Sequence, residues 1–152
     1  MTLRNLYDGD PRVVLTDGGA DIVYQAGQPV MDRGLENAVI LSLFTSSGWA
    51  GNRLLTGPHE AVGSEYTRTL SAPITRGFLE RCEAAAHRAL AWMVPARVAE
   101  SIEVVASNPA GLQLHVTVTV RPPGRGDPVA LLLTKNGPNW IAQKNDPAHR
   151  RV

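Results

Sequence analysis

Thr75 to Val94, TRGFLERCEAAAHRALAWMV, decides the fold. Ile74, Phe78, Cys82, Ala85, Ala86, Ala89, Leu90 and Met93 recur at spacings of three and four, which puts them on one face of a helix. Arg76, Glu80, Glu83 and His87 fall on the other face. Alanine, leucine, arginine and glutamate dominate the stretch, and all favour helix. Pro73 stands just before it, and Pro95 ends it because the proline ring clashes with the preceding turn. The spacing predicts one helix of 20 residues, which at ~1.5 Å per residue is about 30 Å long. Each large apolar side chain buried along it is worth ~1.5–3 kcal/mol. A sheet is therefore expected to cover the stripe.

That sheet is read after Pro95. Ser101 to Ala106 alternates, with Ile102, Val104 and Ala106 on one side. From Leu112 to Arg121 the alternation is clean: Leu112, Leu114, Val116, Val118 and Val120 face one way, and Gln113, His115, Thr117, Thr119 and Arg121 the other. One dry side and one wet side predict an antiparallel strand in a two-layer fold. Val129 to Thr134 is predicted as the last strand and placed at the sheet edge, where an open ladder invites another chain to pair. Trp140 to Val152 reads as a mostly polar tail. At the other end, Arg12–Thr16 and Ile22–Tyr24 flank Asp17-Gly18-Gly19, a hairpin signature, and Gly27-Gln28-Pro29 breaks the second strand. The fold class is α+β, a long amphipathic helix packed on a small mostly antiparallel sheet with an N-terminal β-hairpin. The expected organisation is a hairpin appendage over 1–30, an α+β domain over 31–138 and a tail over 139–152.

Between hairpin and long helix lies GLENAVILSLF, Gly34 to Phe44. Asp32 is placed to cap it as a helix, and Glu36 favours its first turn. Apolar residues lie almost all round it, so it is expected to be buried on nearly every side. Length and start signal favour a helix, although periodicity alone also permits a buried strand over Val39–Phe44. Thr45 to Glu65 is a Gly/Ser-rich loop carrying Trp49, Leu54 and Leu55, ending in a short helix over Glu65–Leu70. A loop this long is either functional or covered by a partner. Trp49 then has two readings, a satellite core under the loop or an anchor at an interface.

With 152 residues and a net charge of +1, the chain suits one domain and has no global field to draw it to nucleic acid or an anionic membrane. Its single cysteine, Cys82, precludes an intramolecular disulfide and fits a reducing compartment. MTLRNLYDGD lacks the apolar core of a signal peptide, and no apolar run is long enough for a membrane helix. His59, His87, His115 and His149 are scattered, none at metal-ligand spacing with another histidine or with Cys82. Phosphate-loop, dinucleotide and nucleophile-elbow patterns are missing. Glu80 and Glu83 lie on the solvent side of a helix, not across a cleft as glycoside hydrolysis requires. Arg125-Gly126-Asp127 sits in a turn-forming linker and is explained by turn chemistry. No enzyme activity, cofactor, metal or small-molecule substrate is expected.

Four stretches together resemble the small baseplate wedge protein family of Mu-like contractile-tailed phages: the N-terminal hairpin, GLENAVILSLFT (Gly34–Thr45), Gly48-Trp49-Ala50-Gly51 with Gly63-Ser64, and the long helix ending in Ala89-Leu90-Ala91-Trp92-Met93 before alternating strands. The resemblance covers about residues 10–135. It implies a structural protein of the tail baseplate, assembled in the bacterial host cytoplasm, with other wedge proteins and tail tube or sheath proteins as partners. It also implies a more distant likeness to a wedge family that carries a lysozyme label. In that wider family a glutamate-proline-arginine motif after the long helix docks a helical bundle. This chain has Val94-Pro95-Ala96-Arg97, keeping the proline and a nearby arginine but not the glutamate. The expected interface is Trp49, Leu54, Leu55, Arg97, Val129 and Leu131. Alternatives are a peptidoglycan hydrolase, as the label suggests, and a stand-alone adaptor.

Overall fold

The computed structural model describes residues 9–16, 19–32, 35–54, 57, 62–73, 75–111, 113–136 and 139–144. The N-terminal part forms short antiparallel pairs: β1 (Asp10–Pro11) with β6 (Met31–Asp32), β2 (Val13–Thr16) with β3 (Gly19–Ile22), and β4 (Tyr24–Gln25) with β5 (Gln28–Pro29). A ring of backbone hydrogen bonds joins them. Arg12 N donates to Val30 O at 2.8 Å, Val30 N to Val23 O at 2.8 Å, and Val23 N to Arg12 O at 3.0 Å. The predicted hairpin is β2–β3, but its return strand is Gly19–Ile22 rather than Ile22–Tyr24, Tyr24 belongs to β4, and the Asp17-Gly18 turn lies outside the described residues. Gly27 does not merely break a strand. It turns β4 into β5 together with Ala26, at φ of 76° and 51°, the paired positive φ that tight hairpins use.

Next comes α1 (Leu35–Phe44), a helix as its length and start signal favoured. Asp32 accepts a hydrogen bond from the Asn37 backbone N–H at 3.0 Å, meeting one of the donors that a helix start leaves unpaired. Glu36, Asn37, Val39, Ile40, Ser42 and Leu43 are buried, but Leu41 is 49% exposed, so the helix is not buried all round. Its first turn holds the N-terminal strands. Arg12 donates to Glu36 at 2.9 Å, Asn37 Nδ2 donates to Pro11 O at 2.8 Å, and Asn37 Oδ1 accepts from Val13 N at 2.8 Å.

The short helix α2 (Tyr66–Thr69) follows the loop, and its Tyr66 ring meets Phe44 edge-on at 5.9 Å. Burial pushes the Tyr66 phenol up. The organising helix is α3 (Arg76–Leu90), capped by Thr75 Oγ1, which accepts from Phe78 N at 3.2 Å. It spans 15 residues rather than the predicted 20, and Ala91–Met93 tighten into a 3₁₀ turn. The reason is local: Pro95 has no N–H to give the Ala91 carbonyl, so Val94 N takes it at 3.3 Å.

Behind α3 stands a four-stranded antiparallel meander of β7 (Ser101–Ser107), β8 (Leu114–Arg121), β9 (Val129–Asn136) and β10 (Asn139–Lys144), in the order β10-β9-β8-β7. Leu114, Val116, Val118, Val120, Leu131 and Leu133 meet Phe78, Cys82, Ala85, Ala86 and Leu90 in one core, completed by Val39, Ile40 and Leu43. Two expectations are corrected. Residues 139–144 are not tail but a strand paired along β9 from Asn139↔Asn136 to Lys144↔Leu131. Consequently β9 is an interior strand, not an edge. The side of the sheet at β10 adjoins β2, which leaves β7 as the outer strand at the opposite side. Ile74 and Leu112 lie outside the described residues, and among those described no helix is long and apolar enough to cross a membrane.

Candidate functional site: an apolar groove between two helices

The outer sides of α1 and α3 do not close on each other. Ala38, Leu41 and Ser42 form one wall of a groove of about 790 Å³, and Ala85, Arg88, Ala89 and Trp92 form another. Trp92 is 46% exposed, and its indole N–H donates to Ser42 Oγ at 3.0 Å, which pins a large aromatic surface at the groove. Alanines at 38, 85 and 89 keep the floor low, and Leu41 and Val62 add exposed apolar surface.

The third wall is Ser47 and residues 62–66. Hydrogen bonds between the two ends of the loop hold it. Ser64 N donates to Thr45 O at 2.8 Å and Ser47 N to Ser64 O at 3.2 Å, a parallel bridge across the loop. Gly63 is required beside it: its φ is +113°, and a Cβ there would sit 2.3 Å from Ser46 O. Asn52, in the 3₁₀ turn Ala50–Leu54, clamps the other strand of the loop by exchanging hydrogen bonds with Val62 O (2.7 Å) and Val62 N (2.8 Å). Thus the described part of the stretch read as a Gly/Ser-rich loop is strapped across its two ends.

Asp10, Glu65 and Arg88 supply the groove's charges. The Ser47 hydroxyl donates to Glu65 and, with Arg68 nearby, holds the Glu65 carboxyl below its ordinary range. Glu65 therefore stays an anion at neutral pH and is a poor proton donor. Among the described residues no group of histidine, cysteine and carboxylate side chains is placed to hold a metal ion. What the groove offers is a fixed aromatic, exposed aliphatic side chains and charge at the rim, which suits a contact with another macromolecule.

The groove's α1, loop and α3 walls all fall inside residues 35–126, which match the family described as phage protein GP46. The chain belongs to that family. Over 99 residues it is 33% identical to the Mu-like prophage FluMu protein gp46 of Haemophilus influenzae, covering 61% of this chain and 72% of that protein. No solved structure matches. Membership in a Mu-like phage family agrees with the resemblance drawn from the glycine-tryptophan loop and GLENAVILSLFT.

The residues expected at an interface are scattered. Trp49 (51% exposed) and Leu54 (85%) are on the surface of the strapped loop, and neither lines the groove. Leu55 lies outside the described residues. Arg97 is exposed after α3, with a φ of 58° that an L-residue rarely adopts. Val129 is half-buried and Leu131 is only 2% exposed, both on the interior strand β9, so Leu131 belongs to the core and not to an edge contact. Sequence reasoning missed Leu41, Val62 and Trp92 as a site. One signal existed: Trp92 falls off the α3 stripe between buried Leu90 and Met93, and Leu41 extends the apolar surface of α1 beyond one face.

Proposed function

We propose that this phage protein is a structural component of a contractile tail baseplate, a wedge protein that links the baseplate to the inner tube or sheath. The observation that carries this reading is the groove, which exposes Leu41, Val62 and Trp92 within the segment that matches the family. Exposed apolar residues gathered on one site favour a permanent partner, since water penalises them in a free protein. Trp49 and Leu54 extend the contact on the neighbouring loop, and Arg97 supplies a cation beyond α3. The partners are other wedge proteins and tube or sheath proteins, the work is mechanical rather than catalytic, and the place is the virion. Co-purification of the wedge from cells carrying Trp92→Ala with Leu41→Ser tests it. Assembly is expected to fall at least tenfold, roughly the loss of one buried anchor, while the free protein stays folded. Wild-type levels of wedge would end this reading.

A second reading, a peptidoglycan hydrolase, draws on Asp10 and Glu65 sharing the groove. A zymogram separates the two: clearing by the wild type that disappears in Glu65→Gln favours the hydrolase, and no clearing favours the wedge protein.

A further inference from the structure

The outer strand β7 carries a contact that neither core nor groove needs. The backbone N–H of Ala106 donates to Glu83 Oε1 of α3 at 2.8 Å. In an antiparallel ladder, residues alternate between pointing both backbone groups at the neighbouring strand and pointing both away. Since Ala106 N–H does not reach β8, Ile102 and Val104 also point theirs outward. Among the described residues, then, the outer side of β7 has two residues that offer an open donor and acceptor, and at the third the donor is taken by a carboxylate.

This pattern bears on how two copies of the chain meet. A two-fold antiparallel pairing centred on Val104 would set Val104 against Val104 of the second copy and Ile102 against Ala106, with Glu103 opposite Val105. No like charges oppose there, and Val105 is already an exposed apolar residue. That pairing needs the Ala106 N–H. The neighbouring pairing, Ile102 against Val104, avoids Ala106 but sets Glu103 directly against Glu103, a like-charge pair that destabilises a ladder. Pairing Ile102 with Ile102 would bring Val104 to Glu100, whose N–H is already bonded to Arg121 O at 2.7 Å.

We propose that Glu83 is a guard on the β7 ladder: by holding the Ala106 N–H it forbids the pairings of two copies that oppose no like charges, centred on Val104 or on Val105, and keeps the free protein monomeric. The proposal concerns the isolated chain and stands whether or not the baseplate reading holds. A long open edge would otherwise be a template for self-association.

Glu83→Ala and the shorter Glu83→Asp test it, with mass followed by sedimentation equilibrium and amide exchange followed residue by residue. The wild type is expected to stay monomeric, with Ala106 exchanging about tenfold or more slowly relative to Ile102 and Val104, as a charge-assisted hydrogen bond implies. In the variants, Ala106 loses that protection at low concentration. As concentration rises the mass doubles, and Ile102, Val104 and Ala106 become protected in step with it. Three results overturn the proposal: a wild-type Ala106 amide that exchanges as fast as its neighbours, a folded variant that stays monomeric, or an association that leaves the β7 amides unprotected. Should Glu83→Ala fail to fold, Glu83→Asp, which keeps the charge and withdraws the oxygen by one methylene, decides the outcome.

Discussion

Single residues set the shape of the groove, and Gly63 sets it most tightly. A methyl at that position meets the Ser46 carbonyl and forces a side chain into a left-handed backbone. Gly63→Ala is expected to cost on the order of 1–3 kcal/mol, read as a lowered midpoint in urea. Because the adjoining Ser46–Ser64 bridge forms the wall, the same change should also unlock the loop. Ser47 acts through charge instead. The Glu65 carboxyl sits below its ordinary 4.5 chiefly because the Ser47 hydroxyl bonds the anion. A carboxyl with a depressed folded-state value stabilises the fold above its unfolded value, and loses that contribution as pH falls through the folded one. Ser47→Ala should raise the Glu65 titration midpoint toward 4.5, followed by carbon NMR of its carboxyl. An unchanged midpoint would mean that the hydroxyl does not set it.

At the scale of elements, the first turn of α1 governs how the N-terminal strands sit. Asn37 is buried and uses both ends of its amide, one on Pro11 O and one on Val13 N. Asn37→Ala takes the partner from the Pro11 carbonyl and the Val13 N–H in a part-buried site, which costs ~0.5–1.5 kcal/mol for each bond. The β1 and β2 amides should exchange faster than in the wild type, and those of β8 should change less, since β8 is held by strands on both sides. The sequence carried half of this. Asp32 and Glu36 were legible as start signals, but Asn37 inside a helix carries no local sign of what it binds, because its partners are 24 and 26 residues away.

Across the whole molecule, the α+β class was legible because its two strongest signals are local. The stripe from Phe78 to Met93 and the alternation from Leu114 to Val120 each declare their own buried face. Strand β10 was not legible. Asn139–Lys144 holds only Trp140, Ile141 and Ala142 as apolar residues, and it is a strand because β9 offers a ladder to it. Adding it moved β9 inward and turned Leu131 from an expected contact into core. Leu131→Ala should therefore cost ~2–5 kcal/mol, as core truncations do, whereas Leu54→Ala should stay within about 0.5 kcal/mol in the free protein. Thermal melts of the two variants check this, and equal losses would contradict the strand order. The groove was illegible for a related reason: it is a gap between two helices far apart in the chain, and no window of sequence contains both walls.

The ring of bonds among Arg12, Val23 and Val30 also makes a practical handle of the β4–β5 turn. All of Tyr24 to Pro29 is exposed, and none of it lines the groove. Insertions are best tolerated at such exposed tips. A small epitope or fluorophore-binding peptide spliced between Ala26 and Gly27 should leave the melting temperature within a few degrees of wild type. Such a beacon would let microscopists look for the protein in an intact phage particle and count its copies there.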